Sequence, residues 1–226
     1  MTLNNKAFHP LRLLGLGFFS VALAIVLVAG WPIVQAEAGW QLRKIRKIRF
    51  VVEPKDVIEK GQKGFDEVSR EADTEILSPV DRDFGLVIPK IGLNNKVFAE
   101  IDMGGEDNYK EVLSEGAAHA LGSSFPGQKG TVYIFAHSAD FSLTSWDVNP
   151  IFSLLGKLEI GDEVDIFYND WRYTYIVSEV EVVSGDETDY LTGSGEEKLI
   201  LQTCWPLGTR WKRLVVTAKP VRLVMK

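Results

Sequence analysis

The chain of 226 residues is poor in the two side chains that most often carry metal, redox and nucleophilic chemistry: it has one cysteine and three histidines. A single thiol, Cys204, excludes an intramolecular disulfide framework and any zinc site built on a cysteine pair. His9, His119, His137 and Cys204 fall at no metal-ligand spacing, so the sequence points to no metal and no cofactor. Basic charge is missing from most of the chain. Residues 1–50 carry seven Lys/Arg against one acid, and residues 51–226 carry eighteen against thirty. Nucleic-acid binders spread a basic face over the folded domain, and an acidic body excludes that partner. Internal repeats and low-complexity tracts are absent too, which removes solenoids and collagen-like rods. The apolar fraction of 46% and charged fraction of 25% are those of an ordinary globular chain.

Formal charge is absent altogether from residues 13–34, LLGLGFFSVALAIVLVAGWPIV. As a helix rising about 1.5 Å per residue, this run crosses a hydrocarbon core of about 30 Å. Trp31 and Trp40 sit where an interfacial aromatic belt belongs. The sequence thus predicts an N-terminal tail over 1–12 and a transmembrane signal-anchor over 13–34. The rival is a cleaved signal peptide, with Ala36-Glu37-Ala38 as the small-x-small cleavage pattern and Lys6 and Arg12 as the basic n-region. The run is longer than a usual signal-peptide core, which favours the anchor. Basic residues flank it on both sides: Lys6 and Arg12 before, and Arg43, Lys44, Arg46, Lys47 and Arg49 after. Counted literally, the second cluster keeps the body in the cytoplasm. Long domains escape that rule, and the cluster can lie against anionic headgroups instead. Orientation has to come from what the body does.

Residues 35–82 read as a basic juxtamembrane segment and a charged spacer, broken by Pro54, Gly61, Gly64 and Pro79, with one short helix. From residue 84 the texture changes to short strand-like runs: 84–91, 96–101, 131–136, 163–168, 172–183, 198–204 and 212–219. Asn169-Asp170 reads as a tight hairpin turn, and residues 109–114 and 150–155 as short helices. Seven or eight strands in about 140 residues indicate a mainly β domain, an antiparallel barrel or sandwich over 83–226 rather than a parallel α/β sheet.

Three polar residues stand where apolar strands stop or start: His137 after residues 131–136, Cys204 after 198–203, and Arg213 at the head of the last strand. If 198–204 and 212–219 form a hairpin, pairing Cys204 with Arg213 also pairs Gln202 with Val215 and Ile200 with Thr217. The opposite face then collects Leu199, Leu201, Leu214, Val216 and Ala218, an apolar patch suited to a core. This register sets a guanidinium across from the sulfur. Arg210, by contrast, falls inside the loop.

At these residues the sequence resembles the sortase family. Thr203-Cys204-Trp205-Pro206-Leu207-Gly208 followed by Arg213-Leu214-Val215-Val216-Thr217-Ala218 is similar to the sortase signature, a strand ending in Thr-Cys and an arginine opening the next. Residues 125–137, FPGQKGTVYIFAH, resemble the family's histidine block, and residues 88–93, IPKIGL, its first barrel strand. Ala136 stands where many sortases have glycine, and Ser138-Ala139-Asp140-Phe141 lacks the arginine or threonine that often follows the histidine. The resemblance implies a closed eight-stranded β-barrel and a membrane-anchored cysteine transpeptidase. Such an enzyme cleaves a Leu-Pro-x-Thr-Gly-like sorting signal on surface proteins and passes the acyl group to an amine of the cell wall or of another protein.

Chemistry supports those roles. An ordinary thiol is only a few per cent ionised at pH 7, so Cys204 as nucleophile needs a partner such as His137, which then protonates the leaving amine. Arg213 keeps its proton and is assigned to the oxyanion or to the substrate carbonyl. Thr203 is a neighbouring support or a substrate contact. His119, upstream in a loop, is the other histidine of the body. An L,D-transpeptidase would show Ser-His-Gly-Cys, and a papain-like protease a cysteine near the mature N-terminus; neither is here. The non-enzymatic alternative is a membrane-tethered β-barrel binding module or a degenerate sortase.

Overall fold

Alternating apolar and polar residues make strands of the body, and the strands close on themselves. The computed structural model describes residues 8–46, 48–52, 74–138, 150–186 and 195–221. A long helix, α1 (Phe8–Arg46), leads to a small parallel pair, β1 (Arg49–Val52) with β2 (Thr74–Leu77). Then follow β3 (Phe84–Ile88), β4 (Leu93–Ile101), helix α2 (Glu106–Glu115), β5 (Ala117–Ala120) and β6 (Thr131–Phe135). After these come β7 (Glu163–Tyr168), β8 (Trp171–Ser184), β9 (Lys198–Trp205) and β10 (Lys212–Pro220). The strands β3 to β10 form a closed eight-stranded barrel in the order β10-β8-β7-β3-β4-β5-β6-β9.

Closure removes every sheet edge and gives the barrel one interior. Leu86, Ile88, Ile134, Ile166, Leu199, Leu201 and Val216 fill it, all fully buried, together with Tyr175. Each such aliphatic side chain contributes roughly 1.5–3 kcal/mol relative to exposure. A second cluster lies outside the wall, where Leu113 of α2 packs with Tyr133 and Phe135 of β6, Ile200 of β9 and Val215 of β10. The helix thus packs on the outer face of the sheet, its Tyr109 ring edge-on to Phe135 of β6 with centroids 5.7 Å apart.

Three expectations change. The sheet is not wholly antiparallel: β4 pairs with β5 in parallel, and so does β6 with β9. Four-residue β5, Ala117–Ala120, escapes the alternation rule because all four residues are buried. The Asn169-Asp170 turn is as read; both residues have positive φ, 50° and 65°, and join β7 to β8 with Tyr168 paired to Trp171. The expected helix at 109–114 lies within α2, while near 150–155 only a short 3-10 turn, Leu155–Lys157, forms. Of the spacer, residues 53–73 lie outside the described residues, including the short helix expected there.

The expected membrane helix is not carried by the fold as described. Residues 13–34 are helical within α1, yet among the described residues no helix is long and apolar enough to cross a membrane. The polar end of α1 docks on the barrel. Trp40 packs against the core cluster, Lys157 Nζ bonds Glu37 Oε1 at 3.0 Å, and the same ammonium sits 4.6 Å from the Trp40 ring centroid.

Candidate active site

The site is built by register. Within the β9–β10 hairpin, Cys204 pairs with Arg213, Gln202 with Val215 and Ile200 with Thr217. On the other side of β9 the parallel pairing with β6 matches Tyr133 to Ile200 and Phe135 to Gln202. Two residues further along that register stand His137 and Cys204. Directly matched residues of neighbouring strands share a face and lie about 5 Å apart. His137, Cys204 and Arg213 therefore form one row across three adjacent chain segments, with the cysteine in the middle.

Local hydrogen bonds hold the row. Ala136 N–H donates to the Gln202 carbonyl at 3.2 Å, which prolongs the β6–β9 pairing beyond the end of β6. Thr203, buried and facing the barrel interior, donates its hydroxyl to the Ala136 carbonyl at 2.8 Å. Its oxygen thus ties the residue before Cys204 to the residue before His137, and the side chain points away from the cleft. Phe152 N–H donates to the His137 carbonyl at 3.0 Å. Upstream, Pro126-Gly127 makes the turn that launches β6, with Gln128 N–H on the Phe125 carbonyl at 3.0 Å and Gly127 at φ 82°.

A cleft of about 330 Å³ opens over the row, lined by His137, Ser138, Cys204, Gly208, Thr209, Arg210 and Trp211. Its far wall is the β9–β10 loop, a turn closed by Thr209 N–H on the Pro206 carbonyl at 3.0 Å. Gly208 sits there at φ 76°, a conformation that a side chain disfavours. Cys204 is half-buried, in the free thiol form. Arg213 lies opposite it, and its Nη1 donates to the carbonyls of Arg210 and Lys212 at 3.1 and 3.2 Å. The guanidinium is thus turned to the loop that walls the cleft, while Arg210, placed in the loop by sequence, lines the cleft itself. A larger cavity of about 800 Å³ between α1 and the barrel, bordered by Trp40, Lys44 and Lys157, contains neither thiol nor histidine.

A family model of the sortase domain matches residues 86–221. The chain belongs to the sortase family. It is 27% identical over 140 residues to Sortase D of Bacillus subtilis (strain 168), covering 60% of this chain and 62% of that protein. Among solved structures, the pilus-related Sortase C of Group B Streptococcus superposes with a TM-score of 0.53 at 30% identity, over 64% of this chain and 70% of that one. Sortase C1 of GBS Pilus Island 1 gives 0.52 at 25%, over 63% and 66%. This chain therefore spans less than two thirds of the length of Sortase D and of that Sortase C1. Sortases are cysteine transpeptidases; the cleft here is lined by the Cys204 thiol and the His137 imidazole, while Arg213 stands opposite the cysteine on the next strand with its guanidinium turned to the loop.

The sortase barrel gives its two other notable groups different standings. His119 is fully buried, bonded to the Ser124 carbonyl and the Ser123 hydroxyl, and stacked on Phe125 with centroids 4.7 Å apart. Burial pushes its pKa below the ordinary histidine range, so it is a neutral packing and turn-holding group, not a proton shuttle for the cleft. Ser138 was not singled out by sequence. It is 1% exposed, its Oγ has no hydrogen-bond partner among the described residues, and it lines the same cleft as Cys204. A buried hydroxyl left unpaired costs about 1–3 kcal/mol. Among the described residues no group of acids, histidines and cysteine is arranged to hold a metal.

The two arginines separate by substitution. Arg213→Lys should lower turnover at least 100-fold, because an ammonium cannot reproduce the planar donor fork that bonds the Arg210 and Lys212 carbonyls opposite Cys204. Arg210→Lys should cost less than tenfold. Steady-state kinetics on both variants check this, and the reverse ranking would move the working cation into the loop.

Proposed function

We propose that this sortase is a membrane-anchored transpeptidase that cuts a Leu-Pro-x-Thr-Gly-like sorting signal through a thioacyl-enzyme. It then transfers the protein to an amine of the cell wall or of another protein. The observation that carries this reading is the row His137–Cys204–Arg213 under an open cleft. In the first step the Cys204 thiolate attacks the scissile carbonyl carbon, and the carbonyl π pair moves onto oxygen. Arg213 stabilises that developing charge. The intermediate collapses by expelling the amine, which leaves with the proton held by His137. In the second step an incoming amine gives its proton to His137, attacks the thioester and releases Cys204. No cofactor enters either step.

The anchor belongs to the same proposal. All twenty-two residues of 13–34 lie within α1. The large apolar side chains described along it face no protein partner and are exposed, from 45% at Ile25 to 77% at Phe18. Apolar side chains so exposed are better accommodated by lipid than by water. The polar end of that helix docks beside Lys157. The neighbouring Gly156 lies against Trp205, the residue after the cysteine. The cleft therefore belongs to the end of the barrel nearest the anchor, where it meets exported chains still held at the membrane. The catalytic domain is then extracytoplasmic, with the basic cluster after the span at the outer headgroups.

Incubating the full chain with a peptide library and trapping acylated protein by mass spectrometry tests the chemistry. A thioacyl adduct on Cys204 is expected, and Cys204→Ala should abolish both adduct and transfer while keeping the fold. Turnover by folded Cys204→Ala would end the proposal. For topology, protease added to wall-stripped intact cells should digest the barrel; digestion only after lysis would place it inside.

A further inference from the structure

We infer that Ser138 touches the substrate: its hydroxyl donates a hydrogen bond to the carbonyl oxygen that Cys204 attacks. This rests on the transpeptidase reading and adds to it a neutral donor, at a residue that neither the cysteine nor the arginine motif includes.

Two independent observations meet at this side chain. Its Oγ is buried and has no hydrogen-bond partner among the described residues. The same residue lines the cleft that holds Cys204 and His137. Native structures seldom leave a buried hydroxyl unpaired, and where they do the group calls for a reason. Alanine at 138 would keep the packing without the orphan, so the resting fold gains nothing from the oxygen. A partner that arrives only with substrate gives the oxygen its use.

Place distinguishes it from the other orphan. Thr131 Oγ1 is buried and unpaired as well. It lies at the opposite end of β6, about 20 Å along an extended strand, and fronts a cleft with Met103, Leu121 and Tyr133 rather than the thiol. Ser138 directly follows His137, whose backbone is pinned by the bonds at Ala136 and from Phe152. The hydroxyl therefore swings on a single χ1 bond from a fixed backbone, and can turn from its buried rest position to the cleft.

The chemistry calls for such a donor. When sulfur bonds to the carbonyl carbon, the π electrons settle on oxygen, and donors already in place stabilise that charge best. Arg213 spends Nη1 on the carbonyls of Arg210 and Lys212, which leaves room for a second donor. Ser138 keeps its proton throughout; the proton that leaves with the amine comes from His137.

The test uses the full chain in detergent micelles with Leu-Pro-x-Thr-Gly peptides randomised at x, acylation being followed by rapid quench and mass spectrometry. Ser138→Ala should slow single-turnover acylation about 100-fold. Its Tm should match or exceed that of the native chain, and the pH profile of Cys204 alkylation by iodoacetamide should not move. A loss under tenfold overturns the inference. So does a larger loss accompanied by a lower Tm or a shifted alkylation profile, because the serine would then act through the fold or through the His137–Cys204 pair. The Cys204→Ala control keeps the questions apart: turnover surviving there sinks the transpeptidase reading itself, whereas native-like acylation in Ser138→Ala sinks only the role of the serine.

Discussion

Everything at the cleft depends on one strand pairing, the parallel match of β6 to β9. The hairpin between β9 and β10 is local and brings Cys204 and Arg213 together across a short loop. His137 comes from 67 residues upstream of the cysteine and has no such tether. The ladder from Thr131↔Lys198 to Phe135↔Gln202 sets its register against the cysteine. The Thr203 hydroxyl and the Ala136 N–H then carry the match past the end of β6. A slip of one residue would turn the imidazole to the barrel interior, where Leu199, Leu201 and Ile134 leave it no room.

The barrel explains why the site lies at strand ends. Along β6, β9 and β10, alternate residues are committed to the interior or to the outer cluster under α2. A reactive thiol buried in either would be inert. At the ends the pleat still aims the side chains, but the wall no longer covers them. The rigid sheet supplies position and the loop of residues 206–211 supplies access. The two histidines of the barrel show the contrast: His119, enclosed among Phe84, Phe125 and the Ser123-Ser124 turn, is held neutral by burial, while His137 is half-buried at the cleft.

How much of this was legible in the sequence follows from the range of each interaction. The Cys204–Arg213 register could be read because one loop and a two-face pattern leave a single good pairing, and the structure has that pairing. Strand content was legible wherever one face is buried and the other is not. It failed at β5, four small buried residues with no alternation, and at the pair β1–β2, whose short strands sit in charged sequence. Parallel partners were not legible, since nothing local links β6 to β9 or sets their register. Ser138 and the loop wall of Arg210 and Trp211 were missed for the same reason: a cleft is a property of segments brought together, and no motif marks an orphaned hydroxyl. The apolar run 13–34 was plain and lies within α1, yet among the described residues no helix is long and apolar enough to cross a membrane.

The account stands on His137 and Cys204 working as one unit, and the thiol itself reports this. Alkylation of Cys204 by iodoacetamide, followed by mass spectrometry from pH 5 to pH 10, should proceed at a rate set by the imidazole. In His137→Ala at neutral pH the rate should fall at least tenfold, with the barrel still folded. A thiol that reacts equally fast in both proteins, or in neither, would contradict the pairing that the β6–β9 register implies.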